Sequence, residues 1–379
     1  MLKSSAPTTQ ASCHKDLGAS VGSKGGIGWQ ISAEVLYRAQ VLVRDQEVID
    51  LHTHPQKVAP HFVRRVAEWA ADIPRDPLSN LRQGGVNVAV VTAVGDPLGT
   101  LWRGRGPWRG VEQQLNAARS EARAAGMSVL GEPGPAATAA VERRRPPPTI
   151  ILGVEGADFI GDSADRLRQA RHDGVRVLGL VHYADNLIGT IGTSIFGRRG
   201  SRATITGRRQ AGLTAYGADL IRELNNTGVV IDLAHADTAT TIAACEASSA
   251  PVISSHTAAS SIRDFPRYIT DETIQAIAAT GGVVGLWPAR LRDLAMSDLS
   301  DFAHHASHIA NLVGVEHIGI GTDKNGVSGY ADGYSNSNDI ANLAAALMSV
   351  GFTDNETAKI MGGNARRVLD CTAASREAD

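Results

Sequence analysis

One pattern constrains this chain more than any other. Short apolar runs, rich in β-branched residues, alternate with stretches of helical periodicity from about residue 48 to the end. The runs fall at 48–51 (VIDL), 86–92 (VNVAVVT), 149–154 (TIILGV), 175–181 (VRVLGLV), 229–233 (VVIDL), 252–255 (VISS), 283–286 (VVGL) and 317–321 (HIGIG). Continuous apolar runs, without polar alternation, suit strands of a parallel sheet covered on both faces. The intervening segments at 62–73, 111–125, 215–226, 236–247, 271–279, 299–313, 340–350 and 354–369 read as helices. Thr353, with Glu356 three residues on, forms a capping signal for the last of them. Eight strands alternating with helices predict a (β/α)₈ TIM barrel of the α/β class. An open doubly wound sheet also satisfies alternation alone, but no glycine fingerprint follows the first run.

Residues 1–30 are rich in Ser, Gly, Thr and Ala without apolar period, and read as a flexible tail preceding one barrel domain at 31–379. Three segments interrupt the alternation, at 100–110, 130–148 and 190–210. The last contains FGRRGSRATITGRRQ and follows the fourth strand, so in a barrel it lies on the active face. It reads either as a solvated basic loop or as a lid that attracts an anionic group.

With 379 residues, 43% of them hydrophobic, the chain can bury a large core. A net charge of -2 and 4% aromatic residues give no support for a nucleic-acid or membrane-surface partner. Cys13, Cys245 and Cys371 are odd in number and far apart, which argues for a reducing compartment rather than a disulfide framework. No apolar signal region opens the chain and no run is long enough to span a bilayer, so a cytoplasmic location is expected.

Catalytic groups of such barrels sit at the C-terminal ends of strands. Here the first run leads into Asp50-Leu51-His52-Thr53-His54, the third into Glu155, the fifth into His235, the sixth into His256 and the eighth into Asp323. Residues two apart on a strand share a face, so His52 and His54 can grip one ion. Four imidazoles with two carboxylates suit Zn²⁺, with Mn²⁺, Fe²⁺ or Co²⁺ as alternatives. That many ligands point to two metals, bridged by Glu155. His52, His54 and Asp323 complete one site, and His235 with His256 the other. Such a pair can hold a hydroxide and polarise a carbonyl, while Asp323 shuttles a proton to a leaving amine. No GxSxG motif is present, and Cys245 reads as a packed helical residue.

Several long segments resemble the membrane (renal) dipeptidases of the amidohydrolase superfamily. They are LTAYGADLIRELNNTGVVIDLAHAD, APVISSHTAASSIRDFPRYITDETI, HIANLVGVEHIGIGTD, NETAKIMGGNARRVLD and the short GVEG around Glu155. The resemblance runs over roughly residues 48–370 and implies a zinc metallopeptidase acting on dipeptides by hydrolysis. It implies metal binding by His52, Glu155, His235 and His256, an acid/base role for Asp323, and a substrate-carboxylate clamp at Arg267. It also implies a homodimer. Three departures stand out. His54 replaces the family's aspartate in His-x-Asp. Asp158 occupies a substrate-contacting position that is histidine in the family, where a negative charge would not stabilise an oxyanion. Lys324 and Asn325 replace the usual Phe and Asp, and Lys324 either restores positive charge near the site or points into solvent, the second being the expectation. His182 and Tyr183 end the fourth strand and read as pocket lining or as packed residues. The competing readings are a metal-dependent phosphoesterase or deoxyribonuclease of the amidohydrolase group, and a non-hydrolytic metal-binding biosynthetic homologue.

Overall fold

The computed structural model describes residues 29–56, 75–100, 106–132, 147–193, 211–291 and 294–374. Its strands are β1 (Ile49–Thr53), β2 (Val88–Val94), β3 (Ser128–Val129), β4 (Thr149–Glu155), β5 (Val175–Gly179), β6 (Val230–Asp232), β7 (Ile253–Thr257), β8 (Val283–Leu286) and β9 (Ile318–Ile320). Their order is β2-β1-β9-β8-β7-β6-β5-β4-β3, all pairs are parallel, and β2 also pairs with β4. The β2–β4 ladder closes eight strands into a barrel, which excludes the open sheet. β3 is an unexpected two-residue strand beside the start of β4.

The helices are α1 (Ala33–Asp45), α2 (Leu78–Gly84), α3 (Pro97–Thr100), α4 (Pro107–Ala124), α5 (Ala164–His172), α6 (Ala215–Thr227), α7 (Thr238–Ala247), α8 (Asp271–Ala279), α9 (Leu299–Val313), α10 (Ile340–Ser349), α11 (Asp354–Ala358) and α12 (Asn364–Ala374). Local chemistry explains where many of them begin. Thr214, Asp237, Thr270 and Asp298 each accept a first-turn N–H with a side-chain oxygen. Thr353 and Glu356 form the anticipated capping box.

The sequence pattern did not bring out α1, α2 and α5. α1 buries Ala39, Leu42 and Val43 and packs on α10. The anticipated closing helix is interrupted by a π-turn at Lys359–Gly363. There Gly362 approaches the Glu47 carbonyl where a side chain would collide with it. The tail (but for Trp29 and Gln30), the helix at 62–73, residues 101–105 of the first interrupting segment and most of the other two lie outside the described residues.

The barrel interior is layered. Ile49, Leu51, Val88, Val90, Ile151, Val177, Val230, Ile253 and Val283 form a buried aliphatic cluster with Ala365 and Val368 of α12. Above it the strands end in polar residues, and β1 changes face to reach them. Asp50 pairs with Ala89 but Thr53 with Val91, so β1 carries one extra residue. Strict alternation would put Ile49, Leu51 and Thr53 inside. The bulge turns His52 and His54 inward instead. β7 carries the same irregularity, Ser254 pairing with Val284 and Thr257 with Leu286, just where His256 must face the interior.

Candidate metal centre

Glu155 ends β4 on the inner face and is 3% exposed. Its Oε2 lies 3.6 Å from His52 Nε2 and 3.6 Å from His54 Nε2. Its Oε1 lies 2.9 Å from His235 Nε2 and 3.6 Å from His256 Nε2. Within each pair of histidines the Nε2 atoms approach closely, at 3.2 Å for His52 with His54 and 3.1 Å for His235 with His256. Two imidazole nitrogens gain little from facing each other. That separation is the ligand-to-ligand edge expected around a cation held at about 2.0–2.1 Å by nitrogen. The groups His52–His54–Glu155 and Glu155–His235–His256 could each hold a metal ion, and they share the Glu155 carboxylate.

Buried-atom satisfaction agrees. Glu155 Oε1 is buried and, among the described residues, faces only imidazole nitrogens, His235 Nε2 at 2.9 Å being the nearer. A bare carboxylate oxygen in such a place costs free energy unless a cation faces it. The donor set thus fits a borderline-soft divalent metal.

The remaining ring nitrogens are largely held from behind. His54 Nδ1 lies 2.9 Å from the Thr92 carbonyl, and Ser255 Oγ lies 3.2 Å from His52 Nδ1 and 2.9 Å from His256 Nδ1. Such contacts fix ring orientation and tautomer. The electrostatics of His235, His256 and Glu155 suit ligation, while His52 is held in its charged form by the surrounding carboxylates. Burial, then Arg267, pushes His235 well below the usual imidazole range, and burial, then His52, does so for His256. Burial would raise Glu155, but His182, His52 and His235 together hold it well below its ordinary value. For His52, burial is outweighed by Glu155, Asp323 and Asp232, which lift it to about 9.

Asp323 follows β9, with Oδ1 3.3 Å from His54 Nε2. Both Asp323 (φ 50°) and His235 (φ 69°) occupy the left-handed region. Non-glycine residues enter it at a cost, which is repaid here by aiming a side chain inward. Gly326 leaves room for the Asp323 carboxylate, which a Cβ there would strike.

His182, just beyond β5, joins the centre, its Nε2 3.4 Å from Glu155 Oε2. Its Nδ1 stands 3.0 Å from Asp96 Oδ2, which also accepts the Tyr183 N–H. Tyr183 packs against both His182 and His235, and burial pushes its phenol up to about 12, so it stays protonated. Arg267 is 8% exposed, with Nε and Nη2 unpartnered among the described residues. Its guanidinium lies 5.2 Å from the Trp287 ring centroid, and Trp287 meets His256 edge-on at 5.6 Å. The indole thus holds Arg267 beside the ligands. Asp158 stands near His182 and Asp96 and is held by Asn186. Asn186 Nδ2 donates to its Oδ2 at 3.1 Å, and burial, with the neighbouring Asp96 charge, pushes its carboxyl up to about 7.

Lys324 corrects the expectation of a solvent-pointing side chain, for it is fully buried. Its Nζ donates to the Asp76 carbonyl at 2.5 Å, and burial brings its pKa down to about 8. Asn325 donates through Nδ2 to the His54 and Asp76 carbonyls, both at 2.9 Å, and accepts the Asp76 N–H at 2.9 Å. Arg75 completes the knot by donating to the Pro55 carbonyl. The two departures at β9 thus tie the chain at residues 54–55 to the chain at 75–76.

Asp96, Ser255 and Trp287 escaped the sequence reading. Asp96 and Trp287 directly follow strand ends, so the rule that found the histidines also points to them. Ser255 carries no such signal. Cys245 is buried on α7 with its thiol pushed up to about 12 by burial, as befits a packed, unreactive side chain. Among the described residues no helix is long and apolar enough to cross a membrane.

The comparisons with known proteins agree with this geometry. The dipeptidase verJ of Clonostachys rogersoniana is 31% identical over 221 residues, covering 58% of this chain and 54% of the relative. The chain spans about half the length of the curated relatives it matches. The probable dipeptidase PvdM from Pseudomonas aeruginosa shares the fold with a TM-score of 0.72 at 19% identity, over 90% of this chain and 99% of that one. A metallopeptidase from Rhodobacter sphaeroides, liganded with a phosphinate mimic of the dipeptide L-Ala-D-Ala, shares it at 0.67 and 21%, over 86% of this chain and 100% of that one. The family model for membrane dipeptidases, peptidase family M19, matches residues 36–378, and the chain belongs to that family.

Proposed function

We propose that the protein is a zinc-dependent dipeptidase with two ions per chain and residues 31–379 as one catalytic domain. The observation that carries this reading is the Glu155 carboxylate, which turns one oxygen to His52 and His54 and the other to His235 and His256. The dipeptidase name of the Clonostachys relative and the dipeptide mimic in the Rhodobacter structure support a dipeptide as substrate.

When bound, the ions supply Lewis acidity and lower the pKa of a bound water toward about 7. The chain's own residues do the rest. Arg267 offers Nε and Nη2 as a planar fork for the substrate's terminal carboxylate, which fixes the scissile amide in register. Asp323 accepts a proton from the attacking water and returns it to the amine nitrogen as the C–N bond breaks. His182, oriented by Asp96, presents Nε2 beside the reacting carbonyl. Asp158, protonated up to about pH 7, can donate a hydrogen bond where an ionised carboxylate could not.

The test is amine release from a panel of L,L and L,D dipeptides by the zinc-loaded protein. Activity is expected to vanish with a chelator and to fall about 10³-fold in Glu155→Gln, the scale of losing a principal catalytic group. Stoichiometric zinc without amide cleavage on any member of the panel overturns the reading. Phosphodiester cleavage would then favour the phosphoesterase alternative.

A further inference from the structure

A cavity of about 290 Å³ opens beside the metal centre, between the ends of β6 and β7 and the first turns of α7 and α8. His235 and Arg267 line it, and so does Ser254, which β7 turns outward. The rest of its wall is mostly small, including Gly192, Ala236 and Pro266.

Five buried polar atoms of the lining lack hydrogen-bond partners among the described residues: Ser254 Oγ, Tyr268 Oη, His235 Nδ1, Arg267 Nε and Arg267 Nη2. With His235 Nε2 given to an ion of the proposed centre, its Nδ1 would carry the proton and donate. All five atoms can then donate, and an occupant that brings acceptors satisfies them. Two acceptors are the oxygens of the substrate carboxylate on Arg267. Ser254, Tyr268 and His235 are left to a second group on the same residue of the substrate, which is its side chain.

Charge decides what that side chain is. Among the described lining residues Arg267 is the one cation, and the substrate carboxylate neutralises it; the ions of the proposed centre would face Glu155 and Asp323, whose carboxylates oppose their charge. Asp237 remains as a negative charge, with its oxygens engaged by Thr190 Oγ1 and the Thr240 N–H. The α8 terminus already carries Asp271 and Glu272. A second carboxylate would enter beside like charges, whereas an amide or hydroxyl oxygen would meet donors without that repulsion.

We propose that this cavity receives the side chain of the substrate's C-terminal residue and selects a neutral, oxygen-bearing one, as in asparagine, glutamine, serine or threonine. The proposal rests on the dipeptidase reading for the placement of the carboxylate on Arg267.

The test compares Gly-Asn, Gly-Leu and Gly-Asp, whose C-terminal side chains are nearly isosteric, in both configurations of that residue. Gly-Asn is expected to exceed the other two about tenfold in kcat/KM, the worth of one or two hydrogen bonds. Ser254→Ala should shrink the Asn-to-Leu ratio about fivefold. Equal or better cleavage of Gly-Leu or Gly-Asp overturns the proposal, as does an unaltered ratio in Ser254→Ala. Calorimetric binding of free asparagine, leucine and aspartate to the zinc-loaded protein and to Ser254→Ala reads the same subsite without catalysis. The same order of affinities with no dipeptide cleaved leaves the subsite standing and sinks the dipeptidase reading. Leucine binding as tightly as asparagine sinks the subsite.

Discussion

A carboxyl that folding keeps protonated makes stability depend on pH, and Asp158 is such a group. Its pKa is pushed from 3.8 up to about 7, by burial first and by Asp96 second. Between those values the native state holds a proton that the unfolded chain has released, so stability falls as pH rises through this window and levels off above it. Asp158→Asn removes the titration. We expect the variant to gain about 1–2 kcal/mol over the parent at pH 8, and the gain to shrink to nothing near pH 4. Denaturant midpoints across that range test it, and parallel curves for the two proteins would refute it. Residues of this kind mark where sequence reading ends. His52, His54, Glu155, His235, His256 and Asp323 stand out as candidates in the sequence because each lies within three residues of the end of an apolar run. Lys324 was not legible, since a lysine four residues beyond the strand reads as solvated. Only the fold supplies the Asp76 carbonyl that lets it be buried.

Among elements, the strands were legible to within a few residues because continuous apolar runs have few other uses in a chain with this many turns. The bulges in β1 and β7 were not legible. A bulge is visible only as a mismatch between two strands, and one strand's sequence holds half of that information. Yet they decide that His52, His54 and His256 face inward. α1 was missed for a different reason: its buried stripe is narrow and its partner, α10, lies some 300 residues away. The turn after β9 carries the element's own prediction. Gly326 faces the Asp323 carboxylate so closely that an added methyl must displace it. Gly326→Ala is expected to cut kcat by about 10²-fold, the loss that follows a misplacement of roughly 1 Å, while zinc content stays stoichiometric. Unchanged kcat would show that Asp323 has no fixed position to defend.

For the molecule as a whole, the barrel gathers a buried polar layer that is poorly satisfied without cations. Metal removal should therefore reach beyond activity. Chelation is expected to lower Tm by several degrees and zinc to restore it in a concentration-dependent way, because an ion that binds only the native state stabilises it by mass action. A Tm indifferent to chelator would show that the layer is satisfied without metal. The closed barrel was legible from eight alternations, but its seam, the ladder between β2 and β4, comes only from coordinates. The knot made by Lys324, Asn325 and Arg75 has a further consequence. It brings the chain back at residue 75 to the place it left at residue 55. Both ends are thereby anchored to the turn that carries Asp323, so a change at Lys324 or Asn325 is transmitted to the backbone of His54 as directly as to Asp323.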